Sequence, residues 1–350
     1  MAGLITTLPD VLHASFEAHT LLFRKPSGTS RGILTEKKLW LLKLWSTDAA
    51  QAGTGECSVI PGLSPDYAND QQYEAALQEL VSAPLRYLAN PHLLAHQPSL
   101  LFGLETAYLD WKNGGKQQLF DNPFTRGERS IPINGLIWMG EEAFMHQQIE
   151  DKLAQGFSCI KMKVGAIDFD SEIALLRSIR QRYSSEEIIL RVDANGAFLP
   201  EEADEKLERL AALDIHSIEQ PLAAGQHAAM KALCARTPLP IALDEELIPV
   251  TATAERKALL EEIRPQYIIL KPSLHGGLSG CIEWIGLADE LGIPWWITSA
   301  LESNIGLNAI AQFAGNYDPV IPQGLGTGGL YTSNFEPYFP IEQGELHMFG

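Results

Sequence analysis

Three acidic residues follow short apolar runs at nearly equal intervals in the middle of the chain: Asp193, Glu219 and Asp244. Each interval is about 26 residues, roughly one strand plus one helix, so each acid advances one strand along the same edge of a parallel sheet. Three carboxylates at one edge would repel one another strongly unless a cation lay between them. All-oxygen ligation is typical of Mg²⁺ or Mn²⁺. The spacing therefore predicts a divalent metal site at these three residues.

Lysines also end apolar runs on both sides of the acids, at the same position of the repeated unit. Lys161 and Lys163 end the apolar run before Asp193, and Lys271 ends the run after Asp244. Alternation directs Lys161 and Lys163 to one side of their strand. In an eight-stranded barrel, Lys163 and Lys271 would lie on opposite strands and face the two sides of a substrate bound to the metal. Since burial and nearby cations disfavour the charged form of lysine, this set suits abstraction of a proton next to a carboxylate. A lysine base paired with Mg²⁺ is a known pattern for this chemistry, in which the metal stabilises the enediolate.

The elements that must position these residues begin near residue 130. Eight apolar, β-prone runs alternate there with amphipathic segments, a pattern that predicts an α/β barrel of the TIM type. The runs are 131–138, 157–164, 187–194, 215–220, 240–246, 266–272, 294–300 and a weaker 319–324.

The first third of the chain has a different pattern. Three extended segments precede helical ones, which predicts a small α+β domain over residues 1–125. The barrel domain is predicted over 126–324, and the irregular tail 325–350 is expected to return to the first domain. The segment Lys25–Gly32 is rich in glycine, serine and basic residues, which is typical of a mobile hairpin loop.

Composition excludes several classes of function. Lys and Arg number 26 and Asp and Glu number 44, a formal net charge of −18, so the basic surface needed for nucleic acid is missing. No apolar run is long enough to span a membrane, and no signal peptide is visible. Four widely spaced cysteines without a CxxC motif indicate reduced thiols, and the cytoplasm is the expected location.

Five motifs in order on consecutive strands resemble the enolase superfamily, in its muconate-lactonizing subgroup. They are IKMKVG, LRVDANGAF, SIEQPL, LDEEL and ILKPS, and the segments GECSVIPGL and TSALESNIGL extend the resemblance over nearly the whole chain. The resemblance implies a modified TIM barrel, (β/α)₇β, under an N-terminal α+β capping domain. It also implies that Asp193, Glu219 and Asp244 bind Mg²⁺.

The further segments favour one branch of that superfamily, a lyase of menaquinone biosynthesis. Its reaction is the syn dehydration of 2-succinyl-6-hydroxy-2,4-cyclohexadiene-1-carboxylate to 2-succinylbenzoate through an enediolate. The resemblance implies that Lys163 removes the α-proton and returns it to the departing hydroxyl. It implies that Lys271 stabilises the enediolate from the opposite face and that Lys161 supports Lys163.

Other residues are expected to surround the substrate, a small dianionic carboxylate. Arg191 lies two residues before Asp193 and therefore faces inward, where it would orient Lys163 or a carboxylate. Asn195 would hold a metal ligand in place without itself contacting the metal. The Lys25–Gly32 loop would act as a lid. The expected pocket residues, given by the resemblance, are Ser299, Glu302, Gly324 and Gly326.

Several alternatives remain open at this stage, as does an oligomeric assembly. Some relatives racemise N-acylamino acids and some epimerise dipeptides, although the segment QGLGTGG lacks the acidic pattern usual in dipeptide epimerases. The run WWITSA lacks the histidine base of the mandelate-racemase branch. A non-catalytic binding protein on the same fold need not keep both lysines and all three acids. Glu246 departs from the family pattern, because many relatives have a serine after the Asp-Glu pair.

Overall fold

The computed structural model describes residues 4–5, 7–29, 32–47, 51–138, 140–165 and 167–348. The N-terminal part forms a three-stranded antiparallel sheet in the order β1-β2-β3. The strands are β1 (His13–Thr29), β2 (Gly32–Trp45) and β3 (Gly53–Ser58). The three predicted extended segments are thereby confirmed. Because β1 runs to Thr29 and β2 begins at Gly32, the predicted Lys25–Gly32 loop is mostly strand; its Ser30 and Arg31 lie outside the described residues, and its role as a lid stays a prediction.

The second half of strand β2 is mostly apolar, and both of its faces are covered. Trp40, Leu42 and Leu44 pack beneath the helices that follow the sheet. Leu39 and Leu41 point the other way and contact residues of the C-terminal half of the chain. A continuous apolar run such as LWLLKLW is what a strand buried on both faces requires.

Three helices cover this sheet: α1 (Asp70–Ser82), α2 (Pro84–Ala89) and α3 (Pro98–Lys112). Asn69 caps helix α1 just before its first residue, and its side chain accepts a hydrogen bond from the Gln72 N–H at 3.0 Å. Helix α3 is buried along nearly its whole length and lies directly against β3. Two glycines allow this approach, since a Cβ on Gly55 would stand 2.1 Å from the Gly103 carbonyl oxygen.

After a short strand, β4 (Ile131–Pro132), seven parallel strands of one sheet alternate with helices in the described part of the chain. The strands are β5 (Gly135–Ile137), β6 (Cys159–Lys163), β7 (Ile189–Asp193), β8 (Ser217–Glu219), β9 (Ile241–Leu243), β10 (Tyr267–Leu270) and β11 (Trp295–Ile297). The helices are α4 (Glu142–Ala154), α5 (Phe169–Arg180), α6 (Pro200–Ala211), α7 (His227–Arg236), α8 (Thr253–Ile263), α9 (Gly277–Leu291) and α10 (Asn304–Ala314). Neighbours in sequence are neighbours in the sheet, as in a barrel.

The weak run at 319–324 completes the barrel. Gln323 donates its N–H to the Pro132 carbonyl at 2.8 Å and accepts from the Asn134 N–H at 2.9 Å. On the other side, Gly324 donates to the Ile297 carbonyl at 2.8 Å. This short eighth strand joins the first and seventh strands, so the predicted (β/α)₇β architecture with a separate α+β cap is confirmed.

The tail contacts both parts of the molecule. The Tyr331 ring packs on Phe23 with centroids 4.7 Å apart, and the Thr332 N–H donates to the Leu22 carbonyl at 2.8 Å. The last strands, β12 (Ile341–Glu342) and β13 (Glu345–Leu346), form an antiparallel sheet with β4. This pairing divides the predicted run 131–138 into β4 and β5. The division into domains at residues 125 and 324 stays a prediction.

Two predictions from composition concern single features of the fold. Among the described residues, none of the helices combines the length and apolar character that crossing a bilayer requires. All four cysteines are buried as free thiols, at Cys57, Cys159, Cys234 and Cys281.

Candidate active site

A cavity of about 250 Å³ opens at the carboxyl ends of the barrel strands, beneath the cap. Its floor is polar and carries Lys161, Lys163, Asp193, Asn195 and Lys271. Its walls are mostly apolar. They come from the barrel at Leu136, Trp138 and 298–301, and from the cap at Leu34, Ile60, Pro61 and Leu63.

Strand register brings the predicted residues to one level. Lys163 of β6 pairs laterally with Asp193 of β7, and Asp193 pairs with Glu219 of β8. Asp244 and Lys271 each follow directly after the next two strands, β9 and β10. All three acids are almost completely buried. The predicted convergence of acids and lysines is therefore what the register produces.

Lys161 and Lys271 each contact two of the carboxylates, and Lys163 contacts one. Lys161 Nζ is 3.0 Å from Asp193 Oδ2 and donates to Glu219, while Lys163 Nζ donates to Asp193 Oδ2 at 2.9 Å. Lys271 Nζ contacts Glu219 Oε1 at 3.4 Å and also donates to Asp244. Lys163 and Lys271 thus flank the row of acids from its two ends.

This arrangement shifts the pKa values of the site. Burial alone would raise the pKa of Asp193, but Lys161 and Lys163 outweigh it and hold that pKa well below its ordinary value. Burial alone would lower the pKa of Lys271, but Asp244 and Glu219 reverse the direction and raise it. The pKa of Lys161 is raised in the same way against the effect of burial, by Asp193 and Glu219. In this arrangement the carboxylates hold both lysines in the charged form.

The donor set suits a hard divalent cation in its chemistry. Three carboxylates on adjacent strands offer only oxygen, and the buried Oδ1 of Asp244 accepts no hydrogen bond from the described residues. Within the part of the chain that the structure describes, no three His, Cys, Asp or Glu side chains form a ready-made ligand group. Lysine ammoniums occupy the positions between the acids instead.

Asn195 and Gln220 hold this floor in place from the loops after β7 and β8. Both have positive φ, 46° and 39°, which is uncommon outside glycine. The Asn195 side chain accepts from Lys163 at 2.6 Å and donates to Glu245 at 3.1 Å. The side-chain amide oxygen of Gln220, Oε1, accepts from the Asp244 N–H at 3.1 Å. Gln220 was not among the residues predicted from the sequence, although its place directly after Glu219 was a usable signal.

Glu246, the departure from the family pattern, has partners of its own. It is buried, and it accepts from the Gln220 side chain at 2.9 Å and from the Gly225 N–H at 2.7 Å. His227 Nε2 lies 3.0 Å from Glu246 Oε1, the oxygen that accepts from Gly225. Because Gln220 also binds the Asp244 N–H, Glu246 supports the backbone of an expected metal ligand.

The residues expected around the substrate divide into two groups. Ser299, Gly324 and Gly326 line the cavity. Arg191 and Glu302 do not. Arg191 lies in the barrel interior, where it donates to the Pro322 carbonyl at 2.7 Å and stacks 4.1 Å from the centre of the Trp296 ring. The structure therefore does not bring Arg191 to Lys163 as expected.

Glu302 is directed away from the cavity. It accepts from the Ser273 hydroxyl at 2.5 Å and from the Ala300 N–H at 2.7 Å. The apolar wall was also missed in the sequence analysis. Its signals were the loop after β3, in GECSVIPGL, and the end of the first barrel run at Leu136 and Trp138.

Known proteins are similar to this chain in sequence and in fold. The family model described as enolase C-terminal domain-like matches residues 145–348. The chain is 47% identical to the o-succinylbenzoate synthase of Desulfotalea psychrophila, covering 96% of this chain and 98% of that protein. The crystal structure of MenC from D. psychrophila superposes with a TM-score of 0.85 at 45% identity, covering 96% of this chain and 99% of the other.

A more distant relative catalyses a different reaction. The L-Ala-D/L-Glu epimerase of Bacillus subtilis is 32% identical over 69% of this chain and 63% of its own length. The same barrel thus serves both a synthase and an epimerase among the relatives.

Proposed function

Since the chain belongs to the enolase C-terminal domain-like family, we propose that it catalyses the reaction of the o-succinylbenzoate synthases. That reaction is the syn dehydration of 2-succinyl-6-hydroxy-2,4-cyclohexadiene-1-carboxylate to 2-succinylbenzoate, a step of menaquinone biosynthesis. The observation that carries the proposal is 47% identity to such a synthase over 96% of the chain. The lysines at both ends of the acid row support it independently, because they are the groups that proton transfer needs.

We infer that Asp193, Glu219 and Asp244 hold Mg²⁺, with Mn²⁺ as a substitute. The support is their oxygen-only chemistry and the unsatisfied buried oxygen of Asp244. When bound, the ion supplies a Lewis acid that neutralises charge on the substrate carboxylate.

Lys163 carries out the proton transfers. Its amine takes the proton from the ring carbon that bears the carboxylate, and the electron pair of that C–H bond enters the conjugated system. The C–O bond of the neighbouring hydroxyl then breaks, and the Lys163 ammonium returns the proton so that water leaves. Because one group serves both steps, the proton and the hydroxyl must depart from the same face of the ring.

Lys271 and Lys161 act without transferring the proton. Lys271 lies at the other end of the acid row from Lys163. Its ammonium stabilises negative charge on the enediolate. Lys161 lies between Asp193 and Glu219, where its charge balances the acids behind Lys163.

The cavity walls match the rest of the substrate. A six-membered carbon ring needs apolar contact, and Ile60, Leu136 and Trp138 provide it above the polar floor. Ser299 supplies a hydroxyl at the rim, where it shares a hydrogen bond of 2.6 Å with Thr327. The segment QGLGTGG, which includes Gly324 and Gly326, contains no Asp or Glu that could bind an ammonium group, and this favours dehydration over dipeptide epimerisation.

The direct test supplies the purified protein with Mg²⁺ and the cyclohexadiene. Loss of the diene absorbance and formation of 2-succinylbenzoate are expected. A parallel incubation with N-succinylamino acids and L-Ala-L-Glu in deuterium oxide measures exchange of the α-hydrogen. Persistence of the diene together with rapid α-deuteration would replace the synthase by a racemase or an epimerase. If the protein acts on none of these compounds, the remaining alternative is a non-catalytic binding protein.

A further inference from the structure

Both polar backbone groups of one residue in the cavity wall are held by buried charged side chains. The Ala300 N–H donates to Glu302 Oε2 at 2.7 Å, and the Ala300 carbonyl accepts from Lys37 Nζ at 3.1 Å. Ala300 lines the cavity between Ser299 and Leu301, whereas Lys37 and Glu302 do not reach it. The wall is therefore held from behind by a cation and an anion.

Lys37 comes from the other part of the molecule. It lies on the face of β2 that is directed toward the barrel and is only 3% exposed. Besides the Ala300 carbonyl, its ammonium donates to the Val59 carbonyl at 2.8 Å. The residues after Val59, Ile60 and Pro61, line the cap side of the cavity. One ammonium group thus binds the backbones of two opposing walls.

Two buried carboxylates, Glu302 and Glu56, act on this ammonium through their charge. Glu302 accepts from the hydroxyl of Ser273, which lies two residues after Lys271. This bond joins the wall to the strand end that carries Lys271. Glu56 accepts from the N–H groups of Ser303 at 3.0 Å and Gly306 at 2.9 Å. Burial lowers the pKa of Lys37 to about 8, and the charges of Glu302 and Glu56 oppose that decrease.

The wall that this network holds is strained. Leu301 has φ of +64°, a left-handed conformation that a branched apolar residue adopts only when its surroundings impose it. Its carbonyl accepts from the Tyr331 hydroxyl at 2.7 Å. Such strain beside a cavity is typical of backbone fixed for binding rather than for folding.

We propose that Lys37 is a positioning residue for the substrate, which acts through the Ala300 carbonyl and sets the distance between the cap wall and the barrel wall of the cavity. The identity of the substrate in this inference rests on the proposed function. The role of Lys37 in holding the two walls together is independent of it. Since Lys163 and Lys271 are held by other contacts, loss of Lys37 should weaken substrate binding and leave proton transfer nearly intact.

The test compares Lys37→Met with Lys38→Met. Met keeps the length of the side chain and removes the charge. Lys38 is the matched control because it follows Lys37 on the same strand but points to the other face, where it pairs with Asp70 at 2.5 Å within the cap. For Lys37→Met we expect KM for the cyclohexadiene to rise at least tenfold, with kcat within threefold of the parent and an unchanged dependence on Mg²⁺. Lys38→Met should match the parent in all three.

A second readout needs no turnover. Hydrogen–deuterium exchange of the peptide that contains Ser299, Ala300 and Leu301 should be at least tenfold faster in Lys37→Met and unchanged in Lys38→Met. Equal KM values and equal exchange in the two variants would overturn the inference. An inactive parent protein would overturn the proposed function alone, because amide exchange still reports on the wall. If Lys37→Met does not fold, Glu302→Gln takes its place with the same two readouts and the same expected directions.

Discussion

Lys163 and Asp193 are lateral partners on neighbouring parallel strands, and Lys163 Nζ lies 2.9 Å from Asp193 Oδ2. The register that pairs them also pairs Asp193 with Glu219, so the proposed base and two of the acids stand at the same height in the barrel. The proposed proton-transfer group and an expected metal ligand are therefore fixed by the sheet itself rather than by a loop.

Lys163→Ala should separate proton transfer from metal binding. Turnover should fall by roughly 10⁴-fold, because the variant lacks the amine proposed to remove and return the proton. Affinity for Mg²⁺ should change by less than threefold, since Asp193 keeps the contact with Lys161. Steady-state kinetics and calorimetric titration with Mg²⁺ measure the two quantities. Lys231→Ala, an exposed lysine of α7, is the control, and substantial activity in Lys163→Ala would assign the base elsewhere.

Asp244→Asn tests the proposed metal site without relying on catalysis. Asn keeps the size of the side chain but removes the charge that favours a divalent cation. Binding of a ligand to the folded state alone raises thermal stability, so excess Mg²⁺ should raise the Tm of the parent protein. In Asp244→Asn this increase should disappear at the same Mg²⁺ concentration. Differential scanning calorimetry with Mg²⁺ and with EDTA measures it. Asp204→Asn, on the outer helix α6, should retain the full increase, and an undiminished Mg²⁺ effect in Asp244→Asn would remove this residue from the ligand set.

The sequence was sufficient for the floor of the site because that floor consists of strand ends. Residues such as Lys163, Glu219 and Lys271 occur at one position of a repeated unit, and a parallel barrel converts equal spacing into proximity. The same logic predicted that Arg191 faces inward. It could not predict the direction of the long side chain, whose guanidinium stacks on Trp296 and donates to the Pro322 carbonyl instead of entering the cavity.

The walls and their supports could not be predicted in that way. Lys37 and the Ala300 carbonyl are 263 residues apart, and their contact depends on how the cap lies on the barrel. The family resemblance implied that Glu302 contacts the substrate, but the turn at Leu301, with φ of +64°, directs its side chain toward Ser273. Periodicity carries no information about such a turn.

Glu105 should make stability depend on pH. It is a buried residue of α3 that accepts from the Leu278 N–H of α9 at 2.6 Å, and burial raises its pKa to about 7. Because the folded state holds this proton more tightly than the unfolded chain, the free energy of unfolding should decrease as pH rises from about 4.5 to about 7. The decrease attributable to this group should be about 3 kcal/mol. Below that window the neutral carboxyl costs nothing, and above it the ionised form is fully destabilising.

Glu105→Gln should remove this dependence. Its amide oxygen still accepts from Leu278, and it cannot ionise, so the variant should be more stable than the parent at pH 8 and similar at pH 5. Urea unfolding at both pH values measures the difference. Glu205→Gln, at an exposed position of α6, should keep the parent's dependence on pH. Identical profiles for the parent and Glu105→Gln would show that another group controls it.

Gly55→Ala should disrupt the cap, whereas Gly286→Ala should not. A methyl group on Gly55 would stand 2.1 Å from the Gly103 carbonyl oxygen, so β3 and α3 would have to move apart along a fully buried contact. Overpacking of this kind typically costs about 1–3 kcal/mol and here meets rigid backbone, so we expect a loss at the upper end or failure to fold. Gly286 is an exposed residue inside α9 with open space at its Cβ position, and alanine there should stabilise the helix by about 0.5–1 kcal/mol. Thermal unfolding of the two variants measures both effects. A stable Gly55→Ala protein would mean that β3 and α3 separate more easily than their close contact implies, and the cap wall at Ile60 would then also be adjustable.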